Sequence, residues 1–164
     1  MPKRAVCLLL LVALWPMASA CGGEEVVATE RLFEMTALFP SIPAGVVYDS
    51  AATVYDPAEA LDSELVAVLY ARDDGYCEYE SAVSHGAVYL GGTRGAYLEL
   101  AVFVCYGSAD TAAVFEMCLR RARLVASFGL LEESDAMLAS SGRVVYFCLS
   151  SDPATAKAAL APFF

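Results

Sequence analysis

Residues 98–106 constrain the fold of this chain more than any other segment. They read Leu-Glu-Leu-Ala-Val-Phe-Val-Cys-Tyr, so both alternating faces of a strand at this position are apolar apart from Glu99. A strand that is apolar on both faces is typical of the interior of a sheet, where other elements cover each side. We therefore predict that residues 98–106 form the central strand of a sheet.

The segments next to this strand predict a hairpin and a helix. Residues 86–90 are β-rich, and the glycine-dense residues 91–95 that join the two runs are suited to a hairpin. A glycine-rich segment can also wrap an anion with its backbone N–H groups, but a hairpin is the simpler interpretation. Apolar residues at helical spacing follow, and they predict a helix with an N-cap at Ser108 that reaches about Phe128.

The C-terminal segments complete the pattern. Residues 143–149 are predicted to form a further strand, and Asp152 followed by Pro153 predicts the start of a last helix. Asp62 is a capping residue for a shorter helix earlier in the chain. The order strand, strand, helix, strand, helix fits a mainly antiparallel sheet with helices packed on one face, which is the α+β class.

The N-terminal residues are typical of an exported protein. A basic start is followed by an apolar run over residues 5–14, and small residues lead to a cleavage site before Cys21. These are the parts of a secretory signal, and the run is too short to span a bilayer. We predict a signal peptide at residues 1–20, a flexible acidic tether at residues 21–30 and a single α+β domain at residues 31–164.

The residues before Cys21 are compatible with two outcomes of export. In a bacterial lipoprotein the cysteine after the cleavage site receives diacylglycerol and anchors the protein at the outer, extracytoplasmic face of the cell membrane. Ala18 departs from the Leu, Val or Ile that usually stands three residues before such a cysteine, and Ala18-x-Ala20 also fits ordinary secretion. We predict lipidation of Cys21, with free secretion as the alternative.

The charge of the chain excludes nucleic acid as a partner. Its formal net charge is −10, and removal of Lys3 and Arg4 with the signal takes it to −12. Binding a polyanion requires clustered cations that release its counterions. One basic cluster is present, at Arg120, Arg121 and Arg123, and we predict that it is a solvated helix face.

Four cysteines remain beyond Cys7 and Cys21: Cys77, Cys105, Cys118 and Cys148. An exported location permits disulfides, but three of the four fall on inner faces of predicted strands or helices, where free cysteine behaves as a small apolar residue. We predict buried thiols, with disulfides as the open alternative. Close ligand pairs such as C-x₂-C do not occur, so no metal site and no cofactor is predicted.

Catalytic patterns are equally scarce. His85 is the only histidine, so any Ser-His or Cys-His mechanism must use it, and a solvated turn before a strand is the simpler interpretation of its position. The acidic pairs Asp73-Asp74 and Glu132-Glu133 lack the ligand ladder of a calcium site and are predicted to be solvated surface. We predict no catalytic residue and a protein that is not an enzyme.

The central segment resembles a bacterial lipoprotein family. Residues 99–106, followed by Asp110-Thr111 and by Met-Cys-Leu-Arg-Arg at residues 117–121, are similar to the central block of the family catalogued as domain of unknown function 4358. The similarity extends over roughly residues 60–163 and includes the junction at Cys21. It implies export, lipidation and one α+β domain, and it implies no activity for any residue.

Two function classes follow from these observations. The first is a membrane-anchored, non-catalytic binding or accessory module of the cell envelope, whose partner is an envelope protein or a small ligand. The alternative is a secreted or envelope hydrolase that uses His85. Three tyrosines are compatible with either an adhesive surface or a core: Tyr70, Tyr76 and Tyr79.

Overall fold

The elements of the domain alternate between short helices and the strands of one sheet. The computed structural model describes residues 27–53, 56–93, 95–129 and 131–164. In chain order these residues form α1 (Ala28–Ala37), β1 (Gly45–Asp49), β2 (Glu59–Ala60), α2 (Ser63–Tyr70), α3 (Tyr79–Ala82), β3 (Val83–Thr93), β4 (Ala96–Cys105), α4 (Thr111–Ser127), β5 (Ala136–Ser141), β6 (Val144–Ser150) and α5 (Pro153–Ala159).

The sheet has six strands in the order β2-β1-β3-β4-β6-β5. The pairing of β1 with β2 is parallel, and every other pairing is antiparallel. Strand β4 is hydrogen-bonded to β3 on one side and to β6 on the other, and its residues from Leu98 to Cys105 are buried. The predicted central strand, the mainly antiparallel sheet and the α+β class are therefore confirmed.

Helices cover both faces of the sheet, so the expectation that they pack on one face is wrong. Helices α2, α3 and α4 pack with the odd-numbered side chains of β4, such as Phe103. Helices α1 and α5 pack with the even-numbered side chains, such as Leu100 and Val102. Successive side chains of a strand point to opposite faces, so an apolar strand of this kind requires a cover on each side.

Helix α1 corrects the boundary of the predicted tether. Residues 21–26 lie outside the described residues, but Ala28, Thr29 and Glu30 form the first turn of α1. Ala28, Leu32 and Met35 are buried against the sheet, and the Thr29 hydroxyl donates a hydrogen bond to Asp49 at the end of β1. The packed domain therefore begins before residue 31.

The predicted hairpin has a shorter connection than expected, and a second hairpin was not predicted. The register pairs Thr93 with Ala96, so residues 91–93 belong to β3. Strand β5, which was not predicted, pairs Ser141 with Val144 across a two-residue turn in which Gly142 has a φ of 59°. A positive φ of this kind favours glycine because it has no Cβ.

The helix starts agree only in part with the sequence. Asp62 caps α2 by accepting from Leu65 N at 2.8 Å, and Asp152 caps α5 by accepting from Thr155 N at 3.0 Å, as predicted. Ser108 is not the N-cap of the long helix, because residues 108–110 form a 3-10 turn and α4 begins at Thr111. Among the described residues, the helices are too short or too polar to cross a membrane.

Candidate binding cleft

A buried ionic cluster lies between β4 and α4. Glu99 is fully buried, and its carboxylate accepts hydrogen bonds from the Tyr70 hydroxyl at 2.9 Å and the Tyr97 hydroxyl at 2.5 Å. Arg121 donates from Nε to both carboxylate oxygens, at 3.2 and 2.9 Å, and from Nη2 to the Tyr97 hydroxyl at 3.1 Å. The carboxylate therefore has four donated bonds in an otherwise apolar interior.

Local sequence places each member of this cluster. Tyr97 and Glu99 are two residues apart in β4, so they share the face that α4 covers. Arg121 lies one helical turn after Met117 and Cys118, which are buried residues of α4, and its own side chain is only 11 % exposed. Tyr70 is the last residue of α2 and is also buried.

The cluster fixes the protonation states of Arg121, Tyr70 and Tyr97. Burial is the largest single effect and acts to lower the pKa of Arg121, but the charge of Glu99, the two phenols and the hydrogen bond to Glu99 together outweigh it and the pKa is raised. Burial first, and then the charge of Glu99, raises the pKa of both Tyr70 and Tyr97 above the ordinary value. Arg121 is therefore a permanent cation, and the two phenols remain neutral donors at neutral pH.

Arg120 forms a second, less buried ion pair. Its Nη2 donates to Glu78 and lies 3.5 Å from the backbone oxygen of Tyr70. Its partner Glu78 lies directly before α3, so the pair joins α4 to another element. The Nε atom of Arg120 is buried and has no hydrogen-bond partner among the described residues.

Both ion pairs border a cleft of about 560 Å³ between the segment after α2 and the outer side of α4. Among its walls are four arginines and two aspartates: Arg72, Arg120, Arg121, Arg123, Asp73 and Asp74. Arg72 and Arg123 are half-exposed, and each lies 3.8 Å from a carboxylate oxygen, of Asp74 and Glu133 respectively. Such loose exposed pairs contribute little stability.

The arrangement corrects the prediction that Arg120, Arg121 and Arg123 are a solvated face. Arg123 is exposed, but Arg120 and Arg121 are mainly buried and paired with acids from other elements. The sequence did contain a signal for this site, because Glu99 interrupts an apolar strand and a buried carboxylate requires a cation or several donors. It did not say which cation.

The prediction that His85 lies in a solvated turn is wrong. His85 lies inside β3 beside a β-bulge, where it is half-buried. The Ser84 Oγ lies 3.1 Å from His85 Nδ1 and donates its single proton to the Val104 carbonyl at 2.8 Å. A hydroxyl that donates its single proton to Val104 cannot also donate to His85, as activation of a serine nucleophile requires.

The other candidate positions lie on the surface or at the end of a strand. Asp73, Asp74, Glu132 and Glu133 are exposed, as predicted for solvated surface. Gly91 and Gly92 are paired with Leu98 and Tyr97 in the sheet, so this part of the glycine-dense segment is a strand end. The described residues include no cluster of three or more His, Cys, Asp or Glu side chains able to hold a metal ion.

The cysteines are free thiols in the described part of the chain. Cys105, Cys118 and Cys148 are fully buried, as predicted, and Cys77 is half-buried with its sulfur 3.9 Å from that of Met117. Burial raises the pKa of Cys105 to about 11 and that of Cys148 to about 12. Their thiolates, the reactive forms, are therefore scarce at neutral pH.

The chain matches no protein-family model, no curated protein sequence and no solved structure. The resemblance to the lipoprotein family therefore stays a prediction. The predicted signal peptide and Cys21 lie outside the described residues.

Proposed function

We propose that the protein is an extracytoplasmic lipoprotein, anchored through Cys21, whose domain is a non-catalytic binding module of the cell envelope. The observation that carries the binding role is the cleft beside α4. Its wall contains Arg121, which the buried carboxylate of Glu99 and the half-buried phenol of Tyr97 hold in one orientation. Polar groups fixed by the interior at the edge of an open cleft are typical of ligand sites.

The lining of the cleft favours binding over catalysis. Its described residues include arginines, aspartates and Ser127, and no histidine or cysteine. The Ser127 hydroxyl donates to the backbone oxygen of Leu124 at 2.6 Å, so it is not directed at a base. The Ser84 and His85 contact is the observation most relevant to a hydrolase, and the Ser84 hydroxyl directs its proton to Val104 instead of to His85.

The anchoring role is supported by the sequence and by where the packed domain begins. Cys21 follows a signal of the export type, and α1 begins at Ala28, only seven residues later. Seven extended residues span roughly 25 Å at most. A lipid on Cys21 would therefore hold the domain close to the bilayer surface.

Intact-mass measurement on protein extracted from membranes of an expressing bacterium tests the anchor. We expect a chain that begins at Cys21 and carries a diacylglycerol adduct. Cys21→Ala should lose the adduct and the membrane association, whereas the matched control Cys77→Ala should keep both. An unmodified chain released into the medium would contradict the lipoprotein proposal and favour free secretion.

Capture from an envelope extract tests the binding role. The wild-type protein and an Arg72→Gln, Arg123→Gln double variant would be compared, because both positions are exposed and their loss leaves the buried pairs intact. We expect the double variant to fail to capture the envelope protein or ligand that the wild-type protein retains. Equal capture by both proteins would show that the cleft is not the binding surface.

A further inference from the structure

We propose that the cleft binds a small oxyanion, a carboxylate or phosphate group, between the guanidinium groups of Arg72, Arg120, Arg121 and Arg123. The inference rests on the proposed role as a binding module and names the ligand class of that module.

The distribution of cations is the first argument. The described ranges contain seven basic residues: Arg31, Arg72, Arg120, Arg121, Arg123, Arg143 and Lys157. Four of the seven line this cleft, and they are Arg72, Arg120, Arg121 and Arg123. The chain as a whole has a net charge of −10. Within the described ranges, more than half of the basic residues therefore meet at one cleft, formed by α4 and the segment after α2, although each of the four also has a carboxylate neighbour.

Unused donors on the inner wall are the second argument. Arg121 donates from Nε to Glu99 and from Nη2 to Tyr97. The described residues provide no acceptor for its Nη1. Arg120 donates from Nη2 to Glu78, while its buried Nε has no acceptor in the described part of the chain. Buried donors are nearly always paired in proteins, so the unpaired Nε makes Arg120 an exception that a small movement of its side chain toward an oxyanion at this wall would remove.

The outer pair of arginines is adjustable. Arg72 and Arg123 lie 3.8 Å from Asp74 and Glu133, which is longer than a hydrogen bond, and all four side chains are about half-exposed. Their guanidinium groups can turn toward a ligand at little cost. The cleft thus combines two arginines held by the interior with two that can close on a bound anion.

The acids near the cleft limit the size and charge of the ligand. Asp73 and Asp74 form part of the rim, and the carboxylates of Glu78, which is partly exposed, and Glu99, which is buried, compensate the inner arginines. A polyanion would be repelled by this rim and by the acidic surface beyond it. A single carboxylate or phosphate group can reach the arginines without facing the remaining surface, and a cleft of about 560 Å³ is of the size that small-molecule sites have.

Tryptophan fluorescence cannot report on the cleft, because the one tryptophan of the chain, Trp15, lies inside the predicted signal. The experiment is therefore a titration followed by nuclear magnetic resonance of the arginine Nε–Hε groups. The probes are inorganic phosphate and succinate, added at constant ionic strength against chloride. We expect saturable shifts of the Arg120 and Arg121 signals. Shifts with phosphate alone identify a phosphate site, shifts with succinate alone identify a carboxylate site, and shifts with both identify an oxyanion site without discrimination.

Two double variants with the same change in charge control the titration. Arg72→Gln with Arg123→Gln removes the adjustable pair and should weaken binding by about tenfold. Arg143→Gln with Lys157→Gln removes two exposed cations elsewhere and should leave the dissociation constant unchanged. Equal weakening by both variants, or no saturable shift with either probe, overturns the inference. The mass of the anchor and the envelope capture do not depend on this result, so failure here is distinguishable from failure of the proposed function.

Discussion

The two faces of the central strand are built in different ways. On the face covered by α1 and α5, β4 presents apolar side chains such as Leu100, Val102 and Val104, all fully buried. On the face covered by α2 and α4, the same strand presents Phe103 and also the carboxylate of Glu99. One strand therefore supports an apolar interface on one side and an ionic one on the other.

The difference shows what each face contributes. Burial of apolar area stabilises the α1 and α5 face without specifying one orientation strongly. The Glu99 and Arg121 pair must overcome the desolvation of two charges, so its net contribution to stability is small. Its geometry instead fixes how α4 lies on the sheet and holds a guanidinium at the cleft.

Breaking the ionic face should have the largest effect. Glu99→Ala leaves Arg121 with a buried, uncompensated charge, and we expect a loss of about 3–5 kcal/mol in the free energy of unfolding. Urea denaturation measures this loss. The double variant Glu99→Leu with Arg121→Met removes both charges and should recover most of it. A single variant as stable as the wild type would show that the pair is not desolvated in solution.

Truncation on the apolar face should cost slightly less and behave differently. Leu100→Ala removes a fully buried side chain and should lower the free energy of unfolding by about 2–4 kcal/mol, because a cavity remains between the sheet and α1. The same denaturation experiment measures it. In contrast to Glu99→Ala, no second substitution at Arg121 should restore stability, and restoration would mean that the two faces are coupled.

Alkaline pH should destabilise both faces through their buried acids. The ordinary thiol pKa is 9.0, but burial raises the pKa of Cys105 to about 11 and of Cys148 to about 12, and it raises those of Cys118 and Tyr70 well above their ordinary values. Below about pH 9 these groups are protonated in both the folded and the unfolded protein, so their contribution to the free energy of unfolding is fully present there. At higher pH the unfolded chain loses protons first, and stability falls.

Urea midpoints measured in a reducing buffer at neutral pH and at several values above pH 9 check this dependence. We expect a steady decrease up to the folded-state pKa values. A flat profile over that range would mean that the thiols and phenols titrate alike in the folded and unfolded protein.

Substitution of His85 should have the smallest effect. His85→Asn changes a half-buried residue at a bulge of β3 outside the cleft lining, so we expect unchanged membrane localisation and envelope capture, and only a minor change in stability. Membrane fractionation and the capture assay check this. A variant that folds and localises normally but loses a cellular phenotype would favour the hydrolase alternative.

Part of the fold was predictable because local chemistry specifies it. The apolar run at β4, the caps at Asp62 and Asp152 and the apolar face of α4 are signals within a few residues of one another. Helix α1 and strand β5 lack such signals. The N-cap residue of α1, Val27, makes no side-chain cap, and β5 consists mainly of alanine and serine with little strand propensity. Both elements form because the sheet gives them something to pack on or pair with.

The candidate site was less predictable than the fold. Glu99 is visible in the sequence as a charged residue within an apolar strand, but Arg121 is 22 residues away on a helix that could present either side. Tyr70 comes from a third element, 29 residues before Glu99. No spacing rule joins such positions.

The sequence by itself determined which segments become central, because burial of a strand that is apolar on both faces requires covers on both sides whatever they are. It also determined the starts of α2 and α5, since the capping carboxylates of Asp62 and Asp152 meet backbone N–H groups only a few residues away. Only the tertiary structure decided that Arg121 meets Glu99 and that four arginines share one cleft with α2. A buried charge must find its partner in space, and packing of whole elements sets that distance.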